Sequence, residues 1–134
     1  MEKVSKSFLK DSYFITDLKL CSIRLIDNSK FPWIILIPKR KKITDILQLK
    51  RIDQNLLMQE IVYSSRVIKK NFKAFNLNIE KIGNIVSHLH IHIIARTKED
   101  SSWPLSVWVV KKKNYSKIAL EKTILKIKKA FKTK

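Results

Sequence analysis

At 134 residues, with 45% hydrophobic and 30% charged residues, the chain has the composition of one folded domain and not of a disordered or fibrous polymer. Its single cysteine, Cys21, excludes an internal disulfide and a cysteine-built zinc site and fits a reducing compartment. The net charge of +18 directs attention to polyanionic partners, but residues 111–134 hold ten lysines against one acid, Glu121, and so carry half of the surplus.

No apolar run approaches the roughly 20 residues of a membrane span, and Met1 to Ser7 lack the apolar core of a signal peptide. A cytoplasmic protein with no membrane contact is expected. Tyr13-Phe14-Ile15 and Leu18 to Ile26 read as two strands, followed by the turn cluster Asp27-Asn28-Ser29-Lys30. Trp33-Ile34-Ile35-Leu36-Ile37, stopped by Pro38, is short, unbroken and β-branched, which predicts a buried central strand. Lys39 to Lys42 read as the basic tip or loop of a hairpin. Thr44-Asp45 is placed to cap a short helical turn, and Asp53 to cap a main helix running to about Asn71.

On that helix Leu57, Ile61, Ser64 and Ile68 form one stripe, the serine being small enough for close approach to a sheet. Phe72 and Phe75 close its end, Leu77 to Glu80 resume a strand, and Gly83-Asn84 turns into the next one. Gly83 is the only glycine, implying a backbone shape that a Cβ would forbid or the close approach of a ligand. After a polar loop, Thr97 to Ser102, the run Trp103 to Val110 reads as a last extended segment. From Ser116 onward Leu120, Ile124, Ile127 and Phe131 step by four, three and four, the stripe of an amphipathic helix whose remaining surface is lysine.

All three histidines lie in Ser87-His88-Leu89-His90-Ile91-His92-Ile93-Ile94-Ala95-Arg96 at a spacing of two. This alternation predicts one strand with His88, His90 and His92 on one face and Leu89, Ile91 and Ile93 fastening the other. Ordinary strand-face histidines account for one of them easily and for three in register poorly. A zinc site would need a further ligand, and neither a cysteine pair nor a second histidine segment exists. A nucleophilic imidazole fits better: one ring nitrogen attacks phosphorus while the other donates a hydrogen bond that fixes the tautomer, and Gly83-Asn84 can hold phosphate oxygens.

The stretch His88-Leu89-His90-Ile91-His92-Ile93-Ile94 resembles the signature of the histidine triad (HIT) family of nucleotide hydrolases and transferases. Pro38 at its strand end, the helix after Asp53, Asn78, Gly83-Asn84 and Trp103-Pro104 fall in the family's order, so the likeness spans about residues 8–108. It implies an α+β fold: an antiparallel sheet of about five strands with one main helix packed on it and an added C-terminal helix. Residues 1–110 would be the nucleotide-binding domain, and 111–134 a lysine-rich helix packed on it or on a second subunit. The family implies a homodimer that binds a purine nucleotide; no metal or cofactor is expected. Its substrates would be nucleoside phosphoramidates or dinucleoside polyphosphates, cleaved through a nucleotidyl-histidine.

In that reading His90 is the nucleophile, His88 and His92 orient it and contact phosphate or leaving group, and Asn84 bonds phosphate. Asp27 or Asn28 contacts the ribose, and Asn78 and Trp103 join the nucleotide site. Two positions depart from the family pattern: Trp33 stands where a fourth histidine is frequent, and Ile85 where a serine is. The alternative is a nucleotide- or nucleic-acid-binding protein on the same scaffold with little turnover, its nucleic-acid contact made by the basic C-terminal helix.

Overall fold

A computed structural model describes residues 6–132. Met1 to Ser5, part of the stretch read for a leader, and Thr133 and Lys134, the last of the lysine-rich segment, lie outside the described residues. Five strands, β1 (Ser12–Asp17), β2 (Cys21–Ile26), β3 (Trp33–Pro38), β4 (Asn76–Lys81) and β5 (Ile91–Arg96), form one antiparallel sheet in the order β1-β2-β3-β5-β4. Two helices, α1 (Arg51–Asn71) and α2 (Lys117–Lys132), complete the α+β architecture expected from the sequence.

The period of two along each strand sorts residues onto two unlike faces. Ile34 and Leu36 of β3 and Ile91, Ile93 and Ala95 of β5 turn toward the helices, where they meet Leu57, Ile61 and Ile68 of α1. Trp33, Ile35 and Ile37 turn the opposite way and meet Phe8, Phe31, Ile94 and Val107. Every residue of β3 is buried because both faces are covered, which is why that strand reads as an unbroken apolar run.

Several local expectations change. Asp53 does not cap α1: Lys50 stands at the cap, and Asp53 lies within the first turn, accepting two bonds from Arg40 at 2.8 and 3.1 Å. The pairing makes sense of the basic loop, which is no hairpin tip but the connection from β3 toward α1. Asp45 does cap a short 3-10 turn, Ile46–Gln48, with a reciprocal capping box through Gln48. Trp103 to Val110 is not extended; it folds as turns and a 3-10 turn, Val107–Val109, capped by the Ser106 hydroxyl. Here propensity yields to the route the chain must take across the apolar face beside Trp33.

The stripe Leu57, Ile61, Ser64 and Ile68 is buried as expected. On the same side Glu60, also buried, accepts from the backbone N–H groups of Leu20 and Cys21 at 2.8 Å each, tying α1 to the turn between β1 and β2. Burial and the Glu60 carboxylate push the Cys21 thiol far up, so it stays a neutral core side chain. Helix α2 packs on α1 and β1. Ile127 and Phe131 are buried, each burial contributing roughly 1.5–3 kcal/mol. Tyr63 Oη donates to the Phe131 carbonyl at 2.8 Å, while Lys117, Lys122, Lys129 and Lys132 remain at the surface. No helix among the described residues is long and apolar enough to cross a membrane.

Candidate active site

On the sheet face away from the helices lies an open cavity of about 620 Å³, floored by Trp33, Ile35, His90 and His92. Phe8, from the N-terminal 3-10 turn Lys6–Phe8, and Trp108, from the C-terminal segment, close two of its sides. Asn28, Gly83 and Asn84 contribute polar atoms at its margin, and Asp11 and Lys112 pair there at 3.3 Å. The walls are therefore chiefly aromatic and aliphatic with a few polar groups, as suits a planar base joined to a charged group.

Of the three histidines His90 and His92 line this cavity and His88 does not, and the arrangement differs from a simple strand face. β5 begins only at Ile91, so His92 alone of the three is in regular pairing, opposite Ile35 of β3 and Glu80 of β4. His88 and His90 lie on the approach to the strand. They stay in phase because Leu89 points inward, 1% exposed, and its N–H bonds the Ile43 carbonyl at 2.9 Å. The early end of pairing follows from β4, whose last partner is Lys81 opposite Ile91; the chain then leaves through Ile82 and Gly83. Gly83 has φ of +79°, and a Cβ there would meet nothing nearer than 3.8 Å, so it serves backbone shape and not close approach.

Hydrogen bonding fixes the tautomer of each ring. His90 Nδ1 is 2.7 Å from the His88 carbonyl, which only accepts, so Nδ1 carries the proton and Nε2 keeps its lone pair. By the same logic His88 Nε2 donates to the Pro38 carbonyl at 3.0 Å. His92 is the reverse case: its Nδ1 accepts from the Trp33 indole N–H at 3.0 Å, which leaves the proton on Nε2. The His90 and His92 rings meet edge to face at 4.8 Å between centroids, and Phe8 packs on His90 at 4.9 Å.

Burial sets the protonation of the pair. His92 is pulled down to about 4 by loss of solvent and then by the neighbouring His90. Burial also lowers His90; its bond to the His88 carbonyl opposes this, while the charges of His88 and Lys81 add to it. Both rings are neutral at pH 7. Among the described residues no three His, Cys, Asp or Glu side chains are placed to hold a metal ion.

The other sequence-predicted residues divide into two groups. Asn28 and Asn84 line the cavity. Asp27, Asn78 and Trp103 do not. Asp27 accepts from the Tyr115 N–H at 2.9 Å and from Tyr13 Oη at 3.4 Å, anchoring the segment that leads to α2. Burial, and then the nearby Asp27 charge, raise the Tyr115 phenol to about 12. Asn78 accepts from Arg96 Nη1 at 2.7 Å, and the Trp103 ring lies 5.6 Å from the same guanidinium. The sequence reading missed Phe8 and Trp108, which border the histidines; an aromatic residue far away in sequence carries no local signal of where it packs.

The family model of the HIT domain matches residues 8–99. A histidine triad protein from Bradyrhizobium japonicum is 32% identical, with 96% of this chain and 97% of that one covered at a TM-score of 0.92. One from Sinorhizobium meliloti is 32% identical with 96% of both chains covered at 0.91, and one from Marinobacter aquaeolei is 26% identical with 98% and 97% covered at 0.93. No curated protein matches. Coverage this complete takes in α2, which lies beyond the residues of the family model. On the strength of the domain match and of these whole-chain likenesses, the chain belongs to the histidine triad family.

Proposed function

We propose that the chain is a nucleotidyl hydrolase or transferase in which His90 Nε2 attacks the α-phosphorus of a nucleotide. The observation that carries this reading is the 2.7 Å bond from His90 Nδ1 to the His88 carbonyl, with the ring buried at the floor of a largely apolar cavity. It directs the lone pair to Nε2, and as the P–N bond forms the same carbonyl steadies the positive charge that develops on the ring. His88 thus acts mainly through its backbone. The aromatic and aliphatic walls take up the base, and Asn84 with the Gly83 turn takes up the phosphate at the margin. As the P–N bond forms the bond from phosphorus to the leaving group breaks and its electron pair departs with that group; water then attacks phosphorus and gives up a proton to solvent, the P–N electrons return to Nε2, and the nucleotide leaves. Burial lowers the His90 ring below its ordinary value, which favours the unprotonated nucleophile at neutral pH.

Incubating the chain with adenylyl donors and measuring intact mass tests the assignment. One acid-labile adenylyl group is expected, localised to His90 and absent in His90→Asn. Labelling that survives the substitution, or no labelling with any donor, overturns it. Turnover should fall by at least about a thousandfold in that variant, because no other ring presents a lone pair from a fixed tautomer in the cavity.

A further inference from the structure

Trp33 is buried, 4% exposed, at the start of β3, and its indole N–H meets His92 Nδ1 at 3.0 Å. An indole nitrogen only donates, so this partner can neither take a proton from His92 nor accept one that His92 might acquire at Nδ1. Protonating His92 at Nδ1 would set two N–H groups against each other inside a buried site. Losing the remaining Nε2 proton would leave an imidazolate among aromatic walls. His92 is thereby held in one neutral form.

The surroundings tighten the hold. Trp108 packs edge-on against both rings, with centroids 5.5 Å from His92 and 5.0 Å from Trp33. Its own N–H is anchored at 2.8 Å by Glu80, which stands opposite His92 on β4. The charged and titratable groups facing His92 are few. On β5 there is His90; on β3 its neighbours are Trp33 and Ile35; on β4 there is Glu80, whose carboxylate is engaged by Trp108. At the cavity margin Lys112 is paired with Asp11, and His88 Nε2 is committed to the Pro38 carbonyl. Burial keeps His92 near 4, in line with this geometry.

We infer that Trp33 is a positioning residue that locks His92 as a neutral Nε2–H donor, and that the site in consequence selects nucleotidyl anhydrides over nucleotidyl amides. The inference rests on the reading of His90 as nucleophile. When the P–N bond to His90 forms, the bond from phosphorus to the leaving group breaks and its electron pair goes to the leaving atom. A phosphate or carboxylate oxygen carries that pair as a weakly basic anion, for which a hydrogen bond from His92 Nε2–H suffices. An amine nitrogen must gain a proton as it leaves, and a locked neutral imidazole does not transfer one. The substrate class is thus a nucleoside 5′-phosphate in anhydride linkage, either a polyphosphate or an acyl phosphate.

Two measurements on the full chain test the inference. Rates of adenylyl transfer to His90 are compared for an adenosine phosphoramidate, a diadenosine polyphosphate and an acyl adenylate, in wild type and in Trp33→Phe and Trp33→His. Wild type should favour the anhydrides by at least about a hundredfold, the lower range of what general acid catalysis supplies. At about pH 6 the variants should narrow that preference at least about tenfold, because both remove the N–H that opposes a proton on His92 Nδ1 and Trp33→His adds a ring that can accept it. Nitrogen-15 NMR of the wild-type imidazoles gives a second readout, independent of turnover and of whether the variants fold: His92 should keep Nδ1 bare and Nε2 protonated from pH 8 to pH 5. Comparable wild-type rates on amide and anhydride, an unchanged preference in folded variants, or titration of His92 Nδ1 within that range would each overturn the inference while leaving adenylyl-His90 intact. Failure to label His90 with any donor would overturn the catalytic reading as well.

Discussion

Two buried polar clusters sit on the same face of the sheet, and they differ in what is left over once hydrogen bonds are counted. Around Arg96, Nε and Nη2 grip the two Asp100 oxygens at 2.7 and 3.1 Å, Nη1 reaches Asn78 at 2.7 Å, and Nη2 also reaches the Leu105 carbonyl at 2.7 Å. Phe31 and Trp103 sandwich the guanidinium at 5.4 and 5.6 Å. Asp100 is further held by the N–H groups of Thr97, Ser102 and Trp103. The histidine cavity is arranged otherwise: each ring spends one nitrogen on the protein and keeps the other, and His90 and His92 turn toward open space. A saturated cluster has nothing to offer a ligand, whereas a half-saturated one lining a cavity does.

The sharpest way to break the contrast is Arg96→Ala. It strands a buried carboxylate and frees Asn78, so the unfolding free energy should drop by about 3–5 kcal/mol in chemical denaturation, enough to unfold a marginal domain. A loss below about 1 kcal/mol would show that the cluster is not structural.

pH separates the clusters next. In the folded state His90 and His92 lie below the ordinary histidine value of 6.5, His92 at about 4. Below pH 6.5 the unfolded chain therefore binds protons that the folded chain refuses, and the histidine contribution, whole above pH 6.5, is lost as pH falls toward 4. For His92 this amounts to roughly 3 kcal/mol. Burial alone would raise Asp100, but Arg96 and the three N–H groups outweigh it and hold the carboxyl below 3.8. Its contribution is complete above pH 3.8 and disappears only below that. Denaturation midpoints should fall from pH 6.5 downward in wild type and hold flatter between pH 6.5 and 5 in His92→Gln; equal slopes would contradict the assignment.

The smallest effects discriminate best between the two asparagines that the family resemblance places at the nucleotide. Asn78→Ala should cost about 1–3 kcal/mol by leaving a buried guanidinium N–H unpaired, with little change in labelling of His90. Asn84→Ala, at an exposed position on the cavity margin, should move stability by no more than about 0.5 kcal/mol and slow labelling. The reverse pattern would return Asn78 to the site.

How far the chain could be read beforehand varies with the range of the interaction. Strand β3, the stripe on α1 and the stripe on α2 announce themselves through periodicity, since burial of one face is imposed residue by residue. The capped turn at Asp45 was equally legible, because a capping box is complete within four residues. Asp53 misled for an instructive reason: an acidic residue near a helix start satisfies the same electrostatics inside the first turn as at the cap, and the Arg40 partner that places it comes from another segment. Asn78 and Trp103 join the Arg96 cluster and do not line the cavity, and motif order along a chain does not say which polar cluster a residue joins.

The histidine spacing by itself determined that three imidazoles follow one another in phase, with Leu89, Ile91 and Ile93 holding the opposite side. Only the tertiary structure decided what each ring can do. Strand β4 ends before His90, so that ring bonds a carbonyl of its own chain approach, while His92 receives an indole N–H from β3. A tautomer depends on whether the partner accepts or donates, and those partners lie two residues away in one case and 59 in the other. Spacing carries the first kind of information, and only the folded sheet carries the second.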